Sequence, residues 1–414
     1  MTEAMGENME AAVQRAIGLT KRRVAIIDRA VPHYREALYD RLMRQGRHDY
    51  HIFAAVNPTE KMNTVEFPRE NWRWTDAPSR RIPGSGGRSM WQWAGVRLGL
   101  SRRFDTILMM ANPSDPHLWA CAILGRITGK RILMWTHGPK YAQLTMRNRI
   151  QRLWQSLASQ CLFYGHHGKV QTLRWNTPPH TCHVIYNSLD YPKQAAIRDG
   201  LPTDTRERVR RELFEDAASP LVICISRLYR RKRVDLLLEA MCDLRERGTP
   251  VNALIVGDGE DRPSLERLAR ELELEDRACF YGPCYDEVRT AELLTAADVC
   301  VAPHAVGLTA MHALAYGAPV ITCDDPALLN PEFEAIIPGR TGDFFAPDDP
   351  HELARAIGNW IGRVQERPAI MSDCIEIIER FYHPDVQAAL IERAVDGDPA
   401  NDLAAAWGKL RRFS

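Results

Sequence analysis

At 414 residues, 45% hydrophobic and 26% charged, the chain is long enough for two packed cores, and its composition excludes a collagen-like, wholly disordered or small disulfide-stapled protein. No stretch approaches eighteen uninterrupted apolar residues, so no membrane-spanning helix is expected. The net charge of +1 conceals a division: residues 1–200 carry 29 Lys and Arg against 15 Asp and Glu, whereas residues 201–414 carry 25 against 38.

Residues 1–21 show no strand pattern and predict a frayed or weakly helical arm; Glu3, Glu7 and Glu10 stand where a secretory signal would be basic, which favours a cytoplasmic protein. The ten cysteines fit that compartment, scattered without CxxC or metal-ligand spacing. Val24–Ile27 predicts a buried strand, followed by a helical pattern through Leu38, Leu42 and Met43. Residues 58–90, rich in Pro and Gly, read as loop. Ile107–Met110, Leu118–Ile127 and Ile132–Trp135 then predict strand, helix and strand, the unit of a parallel sheet.

Met146, Ile150, Leu153, Trp154, Leu157 and Cys161 recur at helical spacing. They lie in a stretch from Asp115 to Asp190 that holds no intervening carboxylate but does hold Arg147, Arg149 and Arg152. The polar, Pro-bounded segment from Pro192 to Pro220 predicts an inter-domain linker. The alternation then restarts with a strand at Val222–Ile225, a helix at Val234–Leu244 and a strand at Ala253–Val256. A helical face through Leu265, Leu268, Ala269 and Leu272 follows, then strands at Cys279–Tyr281 and Val299–Ala302, a helix at Ala310–Tyr316 and a strand at Val320–Thr322. The expected architecture is α/β, two doubly wound Rossmann-like domains facing a cleft. The expected spans are an arm at 1–21, a first domain at 22–195, a linker at 196–218, a second domain at 219–382 and a helical tail at 383–414.

Four ordered blocks carry specific information: ISRLYRRKRVDLLLEA (225–240), LIVGDGEDRPSLERLA (254–269), FYGPC (280–284) and AADVCVAPHAVGLTAMHALAYGAPVIT (296–322). In order and spacing they resemble glycosyltransferase family 4, retaining and metal-independent enzymes of GT-B fold. The resemblance covers residues 219–350 strongly and the first domain weakly. With PEFEAIIPGRTGDFF (331–345), it is most similar to bacterial exopolysaccharide and lipopolysaccharide assembly members.

A departing nucleoside diphosphate needs fixed positive donors when no metal serves it. The resemblance implies that Arg227 and Lys232, just past a strand end, are those donors. Gly307 and Leu308 open a helix whose N-terminus suits phosphate, and the resemblance implies that Gly257 and Gly282 edge the nucleotide pocket. Family members carry two glutamates eight positions apart; here His304 and His312 stand in their places, and an imidazole can still hydrogen-bond a ribose diol. Glu334 aligns with a further family glutamate, whereas Glu332 has no such counterpart. In the first domain His137, at the end of MWTHGPK, matches a histidine that relatives turn toward the donor sugar. His33, Tyr34 and Arg35 replace the glycine pair that many relatives use there, suggesting an acceptor-side surface.

The expected function is therefore sugar transfer from a nucleotide diphosphate sugar to a saccharide or lipid-linked acceptor in cell-surface polysaccharide synthesis, without cofactor or metal. An anionic membrane surface is an expected partner, reached peripherally from the cytoplasm, and nucleic acid is not. An epimerase or phosphorylase on the same architecture, or a non-catalytic nucleotide-sugar-binding protein, are the alternatives.

Overall fold

The computed structural model describes residues 20–56, 63–86, 89–110 and 112–400, so the expected arm lies almost wholly outside the described residues. The described residues divide into two units, one built from those up to Ile185 together with 384–400, the other from Tyr186–His383.

The first unit opens with β1 (Arg23–Ile27), α1 (Glu36–Gln45), β2 (Asp49–Ala54), β3 (Trp74–Asp76), β4 (Arg80–Arg81), β5 (Met90–Trp91) and α2 (Trp93–Leu100). It continues through β6 (Thr106–Met110), α3 (Pro116–Ile127), β7 (Arg131–Thr136), α4 (Met146–Gln155), β8 (Gln160–Phe163), α5 (His166–Leu173) and β9 (Cys182–Val184). Seven strands form one parallel sheet in the order β3-β2-β1-β6-β7-β8-β9, and β4 pairs antiparallel with β5. Parallel strands covered on both faces must be apolar throughout, and Val24 to Ile27, Ile107 to Met109 and Ile132 to Trp135 are accordingly buried. The crossovers holding α2, α3 and α4 all run the same way along this sheet, so right-handed connection puts them on one face. Their inward residues Leu98, Leu118, Cys121 and Trp154 share a core with Ile27, Met109 and Met134.

The second unit contains α6 (Tyr191–Gly200), α7 (Thr205–Leu213), β10 (Leu221–Ile225), α8 (Val234–Glu246), β11 (Asn252–Val256), α9 (Arg262–Glu271), β12 (Ala278–Gly282) and α10 (Glu287–Ala296). β13 (Val299–Ala302), α11 (Leu308–Ala315), β14 (Val320–Cys323), β15 (Gly342–Phe345), α12 (Pro350–Ile361) and α13 (Arg367–Phe381) complete it. Its parallel sheet runs β12-β11-β10-β13-β14-β15. A last helix, α14 (Pro384–Asp396), belongs to the first unit, where it packs on α1.

Four expectations are corrected. The segment 196–218 contains the end of α6 and all of α7 rather than a linker, because Arg206 and Arg210, polar in sequence, turn inward onto Asp298 and onto the carbonyl of Ala296. Residues 384–400 are part of the first unit rather than a separate tail. The helical stripe ends at Gln155, and Cys161 is a buried residue of β8. Within the segment read as loop, β3, β4 and part of β5 occur.

Candidate functional site

In the second unit the strand ends of β10, β11 and β13 converge around the point where the winding direction of the sheet reverses, the usual ligand position in such folds. After β10 the chain passes Ser226 and Arg227 into a tight turn at Arg230–Lys232 and enters α8 through Arg233, at φ 50. Arg227 is exposed and donates from Nη1 to the Tyr229 hydroxyl at 3.2 Å. Lys232 is half-buried and donates from Nζ to the Ala305 carbonyl at 2.9 Å, so it ties the loop after β10 to the loop after β13. Burial lowers its pKa.

The glycines explain how these loops approach so closely. Gly257, at φ +141, donates to the Gly282 carbonyl at 2.8 Å, and a Cβ there would lie 1.8 Å from the Ser226 carbonyl oxygen. Gly282, at φ +92, adopts a backbone that L residues rarely take. Gly307 caps α11, and a Cβ on it would meet the Asn330 side chain at 2.8 Å. Leu308 begins the helix; of its first-turn N–H groups, that of Ala310 donates to the Gly307 carbonyl at 2.9 Å, and the helix dipole favours negative charge at this end. Around this cradle the Ser226 hydroxyl and His304 Nδ1 are buried polar atoms without a protein partner. Burial, reinforced by Arg231, Lys232 and Arg233, pushes the His304 pKa down and favours its neutral ring.

His312 projects from α11 and is held from behind. Gln194 Nε2 lies 3.0 Å from its Nδ1, and that amide also donates to Glu287 Oε1 at 3.1 Å. Although Glu287 is largely desolvated, hydrogen bonds from His312, Gln194 and Tyr316 hold its carboxyl down at about 2. Glu332 and Glu334 lie in the turn Pro331–Ala335 and are both buried. Glu332 accepts from Asn187 at 2.8 Å, and burial pushes its carboxyl up.

His137 belongs to the first unit, at the end of β7. Its ring stacks on Tyr164 with centroids 4.4 Å apart, and the following Gly138, at φ +72, packs against Gly168. The ring keeps an exposed edge, but the protein crowded around its other side, with Arg35 and then Lys140, lowers its pKa and favours the neutral form. It borders a cavity of about 400 Å³ at the ends of β1, β6, β7 and β8. The floor of this cavity is a network that sequence reading missed except for Arg35. Arg35 donates to Asp28 at 2.8 Å and to the Tyr164 hydroxyl, and Arg29 grips Asp115 through two bonds of 2.9 and 2.8 Å. Asp28 and Tyr164 each follow a strand directly, a position that could have flagged them. Tyr34 borders this cavity, while exposed His33 is bound to the Asn63 carbonyl at 3.2 Å and does not line it.

Residues 205–371 match the family model described as glycosyl transferases group 1. That span contains Arg227, Lys232, Gly257, Gly282, His304, Gly307, Leu308, His312 and Glu334, but not His137. Among similar proteins, D-inositol 3-phosphate glycosyltransferase 2 of Catenulispora acidiphila is 30% identical over 45% of this chain and 44% of its own. A GDP-mannose-dependent alpha-(1-6)-phosphatidylinositol monomannoside mannosyltransferase of Mycolicibacterium smegmatis is 28% identical over 38% of this chain and 42% of its own. The chain thus spans less than half the length of these curated relatives. The fold is similar to that of Anabaena HepE solved with UDP, at a TM-score of 0.67 and 18% identity over 90% of this chain and 99% of that one. It is also similar to sucrose-phosphate synthase from Thermosynechococcus elongatus, at a TM-score of 0.66 and 19% identity over 93% and 100%. Residues 205–371 of this chain thus match the model of glycosyl transferases group 1, and the fold is a GT-B fold of two Rossmann-like units.

Proposed function

We propose that the chain is a retaining glycosyltransferase that moves a sugar from a nucleoside diphosphate donor to a saccharide or lipid-linked acceptor of cell-surface glycan or glycolipid synthesis. The observation that carries this reading is the cradle in the second unit. Two cationic side chains, Arg227 and Lys232, and the N-terminus of α11 stand at the switch point of a parallel sheet. Donors fixed before the reaction stabilise the charge that develops on a departing diphosphate without reorganising at that moment. With Arg227 and Lys232 in this role, no divalent ion is required. In front-face attack the departing phosphate oxygen accepts the acceptor's proton while the new glycosidic bond forms on the face the phosphate leaves, so no side-chain nucleophile enters. His312 is proposed to hold the ribose through Nε2, with Nδ1 facing Gln194 and Glu287. The UDP in the HepE structure and the GDP-mannose in the name of the Mycolicibacterium relative support a nucleotide-sugar donor.

We further propose peripheral association with an anionic membrane from the cytoplasmic side. In the described residues no helix is long and apolar enough to cross a bilayer. Yet the helical layer of α2, α3 and α4 exposes Trp93, Ile127, Met146 and Leu153, each more than 60%, beside Arg147, Arg149 and Arg152. The test of the donor reading is a panel of UDP- and GDP-sugars, scored for thermal stabilisation and for release of nucleoside diphosphate with and without chelator. Stabilisation by at least one nucleotide-sugar and chelator-resistant release are expected. Release that stops with chelator and returns with a divalent ion would refute the metal-free mechanism, and stabilisation by none would refute the donor site.

A further inference from the structure

Two neighbouring cavities on the first unit differ in charge from the one beside His137. In the His137 cavity both guanidiniums already face carboxylates. At the β3 edge of the same sheet a separate cavity of about 440 Å³ is bordered by Arg80, Arg97 and Arg103, all exposed, with Asp76 as its one acidic lining residue. Asp76 already accepts the backbone N–H of Val56. The walls are aromatic: Phe53, Trp91, Trp93 and Phe104. Phe104 is shared with a second hollow, bordered by Arg22, Arg102, Lys130 and Arg131 against Asp105 alone, and Asp105 is engaged by Arg23. The end of α2 is thus flanked by two cationic hollows.

We propose that the cavity of Arg80, Arg97 and Arg103 is a binding site for the phosphate headgroup of an anionic phospholipid. The proposal rests on the membrane reading above and gives it an address. Three arginines lining one hollow suit a phosphate oxyanion. A free phosphate would leave most of the volume and the aromatic walls unused, and an acidic glycan would leave the apolar rim uncovered. The apolar surface is Trp93, 64% exposed and lining this cavity, with exposed Leu100 lining the neighbouring hollow and exposed Ile123 and Ile127 on α3, which packs on α2. Side chains of this kind enter the acyl boundary while the arginines reach the headgroup plane, as snorkelling side chains do. Apolar surface and cationic hollow are therefore covered together only by an amphiphile with an anionic head.

The test uses the full chain and vesicles of phosphatidylcholine with increasing phosphatidylglycerol, read by cosedimentation. Wild-type binding should rise with phosphatidylglycerol. The double variant Arg97→Gln/Arg103→Gln should bind on the order of thirtyfold more weakly, at about a factor of five for each basic residue lost near an anionic surface. The control Arg267→Gln/Arg270→Gln, exposed in the second unit, should change little. Soluble glycerol 1-phosphate should compete with wild type more than sulfate at equal ionic strength, which separates a headgroup site from screening. It should compete no better than sulfate with the double variant. Wild type that binds no vesicle at low salt would overturn both the membrane reading and this site. Vesicle binding that the Arg97/Arg103 variant retains, or competition by glycerol phosphate no stronger than by sulfate, would overturn the site alone.

Discussion

Replacing Lys232 by Ala separates two jobs that the structure gives one ammonium group. The first is architectural: Nζ donates to the Ala305 carbonyl at 2.9 Å, in a loop whose Ala305 sits at φ +55. Loss of a charge-assisted bond at a half-buried site should cost about 1.5 kcal/mol. In a unit of this size that lowers the melting temperature by roughly 3 to 6 °C. The second is chemical: removal of one preorganised donor to a charge developing in the transition state costs about 2.7–4 kcal/mol, or a hundredfold to a thousandfold in kcat. The two effects are separable, because the variant remains folded at 25 °C while turnover collapses. Steady-state kinetics with the nucleotide-sugar found in the donor panel, beside a melting curve of the same preparation, read both. Lys232→Arg should recover part of the stability and part of kcat. Lys232→Ala with near-normal kcat and the expected melting shift would refute the proposed phosphate role and leave Lys232 as a loop tie.

Two further predictions follow from histidines. His312→Ala should weaken donor binding about tenfold, measured by calorimetry, while His312→Glu, which restores an acceptor for ribose hydroxyls, should retain more affinity than the alanine; equal affinity of wild type and His312→Ala would show that the ring only packs against Gln194 and Glu287. His51 and His183 are buried and their pKa values are pushed down to about 4, His51 by burial with Arg103 and Arg73 and His183 by burial with Lys169 and Arg393. Their unfolded values lie near 6.5, so below that pH the unfolded chain binds protons that the folded chain refuses. Their contribution is complete above about pH 6.5 and is lost as pH falls toward 4, amounting to about 2 kcal/mol each at pH 5. A urea midpoint for the first unit's transition that is flat between pH 8 and pH 5 would contradict this.

The strands were legible where burial is two-sided, because Val24–Ile27 or Ile107–Met110 leave no polar residue in the run. The strand Asp49–Ala54 was not, since Asp49 and His51 interrupt its apolar pattern; in the fold His51 Nε2 meets the Thr75 hydroxyl at 2.8 Å and the ring stacks on Phe53. The charged helix Thr205–Leu213 reads as linker for a related reason, since its buried cations are matched by Asp298, 88 to 92 positions away, which no local window contains. In the candidate site, Arg227, Lys232 and Gly307 were named because the ordered blocks that hold them resemble a known family. Asp28, Asp115 and Tyr164 were not, because their meaning lies in pairings with Arg35 and Arg29 across distant strand ends. The backing of His312 by Gln194 and Glu287 was invisible likewise, since it comes from two other helices.

The return of α14 to the first unit has a consequence for synthesis. Asp385 and Asp396 on that helix pair with Arg41 and Arg47 near the other end of the chain, and the Arg131 guanidinium reaches the carbonyls of Ala394 and Asp396. A ribosome that has released residues 20–185 has therefore produced a sheet that still lacks one of its covering helices. That face stays incomplete while the whole second unit emerges, so the first unit, although begun first, cannot be finished first. Contacts of such sequence separation close late. Emergence of residue 396, rather than of residue 185, marks the point at which the first unit can reach its full stability.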